Sequence, residues 1–213
     1  MAAIFFDLDG TLTDSGEGIT KCAQVALEHF GIHIEDRSQL RFFVGPPLRE
    51  SFPMIGVREE DVEEAVRLYR VRYNSVGKFE NTPYPGIREL LTQLQGEGYD
   101  LYVATSKPES TAIEILEKFD LAKYFRIICG AEMDGKRDKK DAVIAYLLEQ
   151  LPQGEKILMV GDTAFDVIGA KTHKIPCLGV SWGYGDVEEM TAAGAIGIAN
   201  TMEQLLELIK TNL

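Results

Sequence analysis

Cysteine and histidine are scarce in this sequence, which excludes several kinds of site. The three cysteines among 213 residues form neither a CxxC pair nor a disulfide framework. We therefore interpret each one as a free thiol that fills apolar space, consistent with a reducing cytoplasm. The three histidines show no zinc-ligand spacing and are interpreted as structural or surface residues. These six residues are Cys22, Cys129, Cys177, His29, His33 and His173.

Basic residues and long apolar runs are also few. Twenty-two Lys and Arg stand against 34 Asp and Glu, and the net charge of −12 disfavours nucleic acid or an anionic membrane as the main partner. No apolar run approaches the ~18 to 20 residues that a membrane helix needs. The chain enters a predicted strand directly, so we expect no signal peptide and a cytoplasmic location. A small anionic substrate still suits this charge, because a metal and a few local bases can reverse the field within one cleft.

The stretch at residues 3–13, AIFFDLDGTLT, carries the strongest chemical signal. Residues 3–6 are an apolar run typical of a buried strand, and Asp7 and Asp9 follow it before Gly10 permits a sharp turn. Two carboxylates at the end of a buried strand repel each other and lose solvation, so a chain keeps them where a cation or a reaction uses them. The simpler alternative is a strand that ends in a polar turn, since Asp-Gly is common in turns.

Phosphoryl transfer is the chemistry that fits this pair of acids. One carboxylate can attack phosphorus and hold the group as an aspartyl-phosphate, which splits one difficult step into two easier ones. The second can donate a proton to the leaving oxygen and later accept one from water. Magnesium, a hard cation that prefers oxygen ligands, would offset the crowded negative charge.

The rest of the chain divides into a helical insert and an alternating region. Helical periodicity dominates residues 15–82, which include a stiff Pro46-Pro47 turn and an amphipathic helix over residues 59–76. From Gly86 onward, predicted helices and strands alternate, which favours a parallel sheet covered on both faces. We therefore predict an α/β fold: a Rossmann-like parallel-sheet core formed by residues 1–14 and 83–213, with an all-helical domain inserted at residues 15–82.

Polar groups follow four of the apolar stretches. They are Asp7 with Asp9, the tripeptide Thr105-Ser106-Lys107, a lysine-rich loop at residues 134–141, and Gly161-Asp162. Because ligands bind at the carboxyl ends of the strands in an open parallel sheet, we expect these groups to converge on one crevice.

The hydroxyls and the lysines each have a simpler alternative role. Thr105 and Ser106, with the N–H groups of the next helix, suit the oxygens of a phosphate, although capping that helix is the commoner role. A loop lysine would stabilise both the nucleophile and the transferring phosphoryl group, although most charge runs are solvated. Spacing alone does not choose among Lys136, Lys139 and Lys140.

Asp162 and Asp166 form the last predicted group. Asp162 at a strand end can reach a metal held by Asp7, and Asp166 lies one helical turn further on. The alternative is a helix N-cap with an acid that the helix dipole favours. Capping explains one of these acids well and explains two acids beside Asp7 and Asp9 poorly.

In order and spacing, these groups resemble the four motifs of the haloacid dehalogenase superfamily of phosphatases. The matching segments are Asp7-x-Asp9-Gly10-Thr11, Thr105-Ser106-Lys107, a loop lysine and Gly161-Asp162-x-x-x-Asp166. The helical insert resembles the mobile cap of that family. The likeness is strongest to phosphoglycolate phosphatases and their 5′-nucleotidase-like relatives, and residues 44–49 and 179–185 also resemble that branch. Asp9 separates the chain from true haloalkanoate dehalogenases, which lack the second acid.

The resemblance implies a role for each candidate. The nucleophile, the acid/base, the phosphate-site hydroxyl and the lysine would be Asp7, Asp9, Thr105 and Lys140. The magnesium ligands would be Asp7, Asp9 through its carbonyl, Asp162 and, in support, Asp166. The substrate-binding residues would be Gly10 and Ser106, and Arg49 is added to them as a hypothesis from its own surroundings.

Arg49 is the one candidate in the insert. It follows the stiff Pro46-Pro47 turn, and its guanidinium offers a planar fork of donors to a carboxylate or a second phosphate oxygen. The equally weighted alternative is an ion pair with Glu50 or another acid on a solvated helix.

The resemblance predicts a magnesium-dependent phosphatase for a small phosphate monoester such as phosphoglycolate or a nucleoside 5′-monophosphate. A phosphomutase resembling β-phosphoglucomutase and a pyrophosphatase are the alternatives that share the core motifs. A non-catalytic, receiver-like phosphorylation module is disfavoured, because a phosphoaspartate switch needs neither Asp9 nor a large insert. The core motifs do not identify the substrate, because substrate specificity is expected to depend on the insert. Nothing in the sequence specifies an oligomeric state.

Overall fold

The polypeptide forms two structural units, seen in a computed structural model that describes residues 2–132, 137, 139–152 and 154–213. The first unit comprises Met1–Thr13 and Pro83–Leu213, and the second comprises Asp14–Thr82. The chain thus leaves the first unit once and returns to it once. None of the described helices is both long enough and apolar enough to cross a membrane.

Six parallel strands form the sheet of the first unit, within the residues described. The strands of the chain are β1 (Ala2–Phe6), β2 (Thr13–Asp14), β3 (Thr82–Pro83), β4 (Asp100–Pro108), β5 (Ile127–Ala131), β6 (Lys156–Gly161), β7 (Cys177–Val180) and β8 (Gly197–Ala199). The order in the sheet is β5-β4-β1-β6-β7-β8, and β2 and β3 form a separate two-stranded sheet. The predicted α/β fold with a parallel sheet is confirmed.

Helices alternate with the strands. In the second unit they are α1 (Gly16–His29), α2 (Leu48–Met54) and α3 (Val62–Ser75). In the first unit they are α4 (Ile87–Gly96), α5 (Glu109–Lys118), α6 (Lys140–Glu149), α7 (Ala164–Thr172), α8 (Val187–Ala193) and α9 (Met202–Asn212). Short 3₁₀ helices cover Arg37–Phe43, Glu59–Asp61, Gly77–Phe79 and Ala122–Tyr124.

The central strand β1 is apolar throughout because both of its faces are covered. Ile4 and Phe6 belong to a buried cluster that includes side chains of α4, α5 and α9. Ala3 and Phe5 point the other way, into a second cluster with α6 and α7. A strand that is buried on both faces reads as a continuous apolar run rather than an alternating one. The two clusters hold β1 rigidly, and this packing also fixes the position of the residues that directly follow the strand.

The second unit has an aromatic core and a charged network of its own. The rings of Phe43, Phe52, Tyr69 and Tyr73 follow one another with centroid separations of 5.0, 6.5 and 5.4 Å. Arg72 Nη1 lies 2.7 Å from Glu80 Oε2, and Lys21 Nζ lies 3.0 Å from Glu80 Oε1. The hydrogen bond from Arg72 lowers the pKa of Glu80 most; burial opposes it, and the hydrogen bond from Lys21 adds to the lowering, so that the pKa is about 2. These charges tie α1 and α3 to the end of the unit.

Candidate active site

Asp7 and Asp162 follow neighbouring strands in the middle of the sheet. β1 ends at Phe6 and β6 at Gly161, and the backbone N–H of Asp7 donates to the carbonyl of Val160 at 2.9 Å. This register brings the carboxyl ends of the two strands side by side, where open parallel sheets bind ligands. Asp166, in the first turn of α7, faces the same point.

Three buried carboxylates meet at this point. Asp7, Asp162 and Asp166 each contribute one oxygen, and these oxygens lie within 4.8 Å of one another. Asp162 and Asp166 have no exposed surface, and Asp7 is 8% exposed. Like charges at this distance repel strongly away from water, so they are stable together only with positive charge nearby. Hard oxygen donors in this number fit a hard divalent cation such as Mg²⁺.

Gly10 leaves room for this cluster. Its φ of +84° lies in the left-handed region, and a Cβ at this position would lie 2.1 Å from Asp162 Oδ2. Only glycine therefore fits here without displacing the carboxylate. The Gly10 N–H donates to the carbonyl of Thr13 at 2.8 Å. The predicted substrate-binding glycine thus lies directly against a predicted metal ligand.

Lys140 supplies the positive charge within the cluster. As the first residue of α6, it is buried, and its Nζ lies 2.6 Å from Asp7 Oδ1 and 2.8 Å from Asp166 Oδ1. It also donates to the carbonyl of Ala104 at 3.0 Å. A Cβ on Gly169 of α7 would lie 2.8 Å from Lys140 Cγ, so the close approach of the two helices depends on that glycine. One lysine thus links the end of β1, the middle of β4 and the start of α7.

Burial disfavours the charged forms of the carboxylates in this cluster, and Lys140 compensates for it only in part. Burial raises the pKa of Asp7 to about 6; the charge of Lys140 lowers it and that of Asp166 raises it. Burial, followed by the charges of Asp166 and Asp7, raises the pKa of Asp162 well above its usual range. Burial alone would lower the pKa of Lys140, but the charges of Asp166 and Asp7 outweigh it and raise that pKa. A further cation would relieve the excess negative charge.

Asp9 stands apart from the three carboxylates and pairs with a second lysine. Lys107 Nζ lies 2.7 Å from Asp9 Oδ2, with both side chains largely buried. The Asp9 side chain is not part of the group formed by Asp7, Asp162 and Asp166. In the sequence, Lys107 stands out only as part of the tripeptide Thr105-Ser106-Lys107, and no local pattern predicts a role for it. Its position two residues after Thr105 at the end of β4 is the signal that could have identified it.

Thr105 and Ser106 do not cap the helix that follows them. The N-cap residue of α5 is Pro108, and no side chain caps this end. The capping alternative is therefore wrong for both residues. Thr105 is buried, and its Oγ1 accepts a hydrogen bond from the N–H of Lys107 at 3.2 Å. The hydroxyl proton of Thr105 therefore points away from the Lys107 N–H.

Asp166 serves both the cluster and its own helix. Its Oδ2 accepts hydrogen bonds from the N–H and the hydroxyl of Thr163, at 3.1 and 2.9 Å, and thereby fixes the start of α7. Its Oδ1 faces Lys140. The N-cap residue is Thr163, so Asp162 is not the cap and its carboxylate is held by other donors. Thr11 Oγ1 donates to Asp162 Oδ1 at 3.1 Å, and the Tyr184 N–H donates to Asp162 Oδ2 at 2.9 Å.

The remaining candidates are the loop lysines and Arg49. Lys136 lies outside the described residues, and Lys139 is exposed at the N-cap of α6. Among the described loop lysines, Lys140 is the one in the cluster. In the second unit, Arg49 forms a bidentate pair with Glu63, with Nε 2.5 Å from Oε1 and Nη2 3.0 Å from Oε2. Both of these side chains are more than half exposed.

Comparison with known proteins gives one family for most of the chain. The profile described as haloacid dehalogenase-like hydrolase matches residues 4–180. This range contains every candidate site residue.

Three similar proteins carry the names 5′-nucleotidase, tyrosine-protein kinase and phosphoglycolate phosphatase. A 5′-nucleotidase of Pseudomonas aeruginosa is 44% identical over 89% of this chain and 86% of its own length. The tyrosine-protein kinase PtkA of Mycobacterium tuberculosis is 41% identical over 97% of this chain and 72% of its own length. A phosphoglycolate phosphatase of Vibrio parahaemolyticus is 29% identical over 97% of this chain and 95% of its own length.

A solved structure matches the whole fold. The crystal structure of a predicted phosphatase from Clostridium acetobutylicum has a TM-score of 0.93 and 44% sequence identity. The match covers 99% of this chain and 98% of the other. The similarity therefore extends over both units and does not stop at the sheet that carries the cluster.

Proposed function

Because the chain belongs to the haloacid dehalogenase-like hydrolases, we propose that it cleaves a small phosphate monoester with Mg²⁺ through a phosphorylated Asp7. As a phosphoric monoester hydrolase it must activate a nucleophile, protonate a leaving oxygen and admit water. The observation that carries the proposal is the position of Asp7, which lies at a strand end with its Oδ1 2.6 Å from Lys140. A buried carboxylate that is held by one fixed cation is positioned to attack phosphorus.

The metal site would be formed by Asp7, Asp162 and Asp166 together with the Asp9 carbonyl. When bound, Mg²⁺ would neutralise the carboxylates and polarise the oxygens of the phosphoryl group. The excess of carboxylates over lysines and the hard oxygen donors support this assignment. Asp166 accepts two hydrogen bonds from Thr163 and forms an ion pair with Lys140, whereas Asp162 accepts one hydrogen bond at each oxygen. This difference favours a supporting place for Asp166 and a direct one for Asp162.

Two steps then follow from the chain's own residues. In the first, an Asp7 oxygen attacks phosphorus, the ester P–O bond breaks, and Asp9 gives its proton to the leaving alcohol. In the second, water attacks the phosphorylated Asp7, Asp9 takes up the proton from that water, and phosphate leaves. Lys107 would fix the orientation of Asp9, and Lys140 would stabilise the negative charge that moves between Asp7 and phosphate. Thr105 and Ser106 would bind phosphate oxygens.

We also propose that the second unit, Asp14–Thr82, is a cap that chooses the substrate. The insert is one contiguous segment with its own core, so it can move as a body between its two connections. Phosphoglycolate and nucleoside 5′-monophosphates are the proposed substrates, supported by the names of two relatives. The buried free thiols of all three cysteines support a reducing, cytoplasmic location.

A panel of phosphate esters, with pyrophosphate as an anhydride, tests the proposed reaction. Phosphoglycolate, nucleoside 5′-monophosphates, sugar phosphates, pyrophosphate and p-nitrophenyl phosphate are assayed for phosphate release in Mg²⁺ and in excess chelator. We expect release in Mg²⁺ alone, and an acid-stable ³²P label on the protein that is absent from Asp7→Asn. Undiminished release in chelator would contradict the metal, and return of the label to an isomeric sugar phosphate would indicate a mutase.

Asp9→Asn separates the acid/base from the nucleophile. The amide keeps the backbone carbonyl but cannot transfer a proton, which is typically worth ~10²–10⁴-fold in rate. In single-turnover measurements of phosphorylation, the loss should be smallest for p-nitrophenyl phosphate, whose leaving group needs little protonation. An equal loss across esters of different leaving-group pKa would count against an acid role for Asp9.

Arg49→Ala tests whether the cap unit reads the substrate. If Arg49 binds a second anionic group, kcat/KM for the best natural substrate should fall roughly 10- to 100-fold, the ~1.5–3 kcal/mol of a charge-assisted hydrogen bond. Hydrolysis of p-nitrophenyl phosphate should change far less. Glu63→Gln is the matched control, because it breaks the same exposed ion pair and leaves Arg49 in place. Equal effects of the two variants would show that only the ion pair matters.

A further inference from the structure

The loop that follows β7 lies directly on Asp162. The backbone N–H of Tyr184 donates to Asp162 Oδ2 at 2.9 Å. Asp162 itself has no exposed surface, so its carboxylate takes its hydrogen bonds from the protein. The segment at residues 182–185 reads Trp-Gly-Tyr-Gly, and the proposed chemistry gives it no role.

Two glycines make this approach sterically possible. A Cβ on Gly183 would lie 2.3 Å from both Cβ and Oδ2 of Asp162. A Cβ on Gly185 would lie 2.0 Å from the carbonyl oxygen of Asp162. Both distances are far below van der Waals contact with atoms that have little freedom to move. The backbone on either side of Tyr184 therefore needs to be glycine for its N–H to reach the carboxylate.

Thr11 holds the other oxygen of the same carboxylate. Its Oγ1 donates to Asp162 Oδ1 at 3.1 Å, and its carbonyl accepts the indole N–H of Trp182 at 3.2 Å. The hydrogen bonds thus run from the loop through Thr11 back to Asp162. Each Asp162 oxygen has one fixed donor and keeps a lone-pair direction for another ligand.

We propose that Thr11 and residues 182–185, together the Asp162 clamp, hold the Asp162 carboxylate in the one orientation that binds a divalent cation. The proposal rests on the metal site of the proposed function and deepens it. Thr11, Gly183 and Tyr184 are then positioning residues that act on the metal through Asp162. Partners of this kind typically contribute 10- to 100-fold to metal affinity.

The alternative is that these hydrogen bonds merely satisfy a buried carboxylate. That role would lower the melting temperature of a variant equally in chelator and in Mg²⁺, and it would leave the Mg²⁺ dissociation constant unchanged. Positioning changes the dissociation constant itself. Calorimetric titration of the protein with MgCl₂ therefore separates the two roles without any measurement of activity.

A pair of substitutions at Thr11 gives the sharpest test. Thr11→Val keeps the shape of the side chain and removes the donor, and we expect the Mg²⁺ Kd to rise about 10- to 100-fold. Thr11→Ser keeps the hydroxyl, so its Kd should stay close to that of the wild type. If the wild type binds Mg²⁺ and both variants bind it equally well, the clamp is overturned and the metal site stands. If the wild type binds no Mg²⁺, the metal site and the clamp are overturned together.

A glycine pair tests the loop itself. Gly183→Ala places a methyl group against Asp162 and should weaken Mg²⁺ at least as much as Thr11→Val. Gly96→Ala is the control, since a Cβ at Gly96 meets nothing within 4 Å. A wild-type Kd in folded Gly183→Ala would overturn the role of the loop. If Gly183→Ala does not fold, Thr11→Val and Thr11→Ser still decide the proposal.

Discussion

Asp7→Asn is expected to abolish turnover, by on the order of 10⁶-fold, because loss of the attacking group in a covalent hydrolase has an effect of that size. A neutral amide is a poor nucleophile, so neither the phosphorylated protein nor free phosphate should form. Steady-state phosphate release in Mg²⁺ measures the loss. Mass spectrometry of the same sample is needed, because deamidation of the asparagine would regenerate Asp7.

The stability of Asp7→Asn relative to the wild type is expected to depend on pH. Burial raises the pKa of Asp7 from 3.8 to about 6, so ionisation of Asp7 lowers the stability of the folded state as the pH rises from about 4 to 6, and the full loss remains above pH 6. In chelator at pH 7, Asp7→Asn should therefore be at least as stable as the wild type, and its advantage should vanish as the pH falls below about 4. Thermal melts across this range provide the check. Substantial turnover by a folded variant would contradict the role of Asp7 as nucleophile. A variant markedly less stable than the wild type at pH 7 would contradict the raised pKa of Asp7.

Lys140→Met is expected to have the second largest effect. Its removal leaves Asp7 and Asp166 without their shared cation, and loss of one partner from a buried ion pair typically costs about 3–5 kcal/mol. Turnover should fall about 10²–10³-fold as well, because the charge on Asp7 and phosphate loses its stabilising partner. Urea denaturation in chelator and phosphate release in Mg²⁺ measure the two losses.

Lys139→Met is the matched control for this variant. Lys139 is the preceding residue, has the same side chain, and is exposed. Its replacement should change stability by no more than about 0.5 kcal/mol, as is usual for the surface. If the two variants lose equal stability and activity, the position of Lys140 within the cluster has no functional meaning.

The ends of the central strands could be predicted because they follow from sheet geometry. A strand buried on both faces is a continuous apolar run, and parallel strands end at one edge, so Asp7 and Asp162 had to lie close together. The choice of Lys140 over Lys139 could not be predicted in this way. It depends on where α6 begins and on which side of that helix faces Asp7, 133 residues away.

Contacts between distant segments could not be predicted from the sequence for the same reason. Lys107 meets Asp9, and the loop at residues 182–185 meets Asp162, through contacts that no local pattern encodes. Local patterns specify helices, strands and turns, whereas these contacts depend on how the elements pack. The tripeptide and the glycine-rich segment were visible, but the partner of each was not.

The order of strands in the sheet also determines when β1 can pair with each of its neighbours during synthesis. β1 lies between β4 and β6, and Phe6 pairs with Val103 and Val160. At a ribosomal rate of ~5–20 residues per second, this apolar strand waits roughly 8–30 s for its second neighbour. The contiguous segment Asp14–Thr82 can fold in the meantime. The strand that ends at Asp7 therefore keeps one edge unpaired until residue 160 has been synthesised.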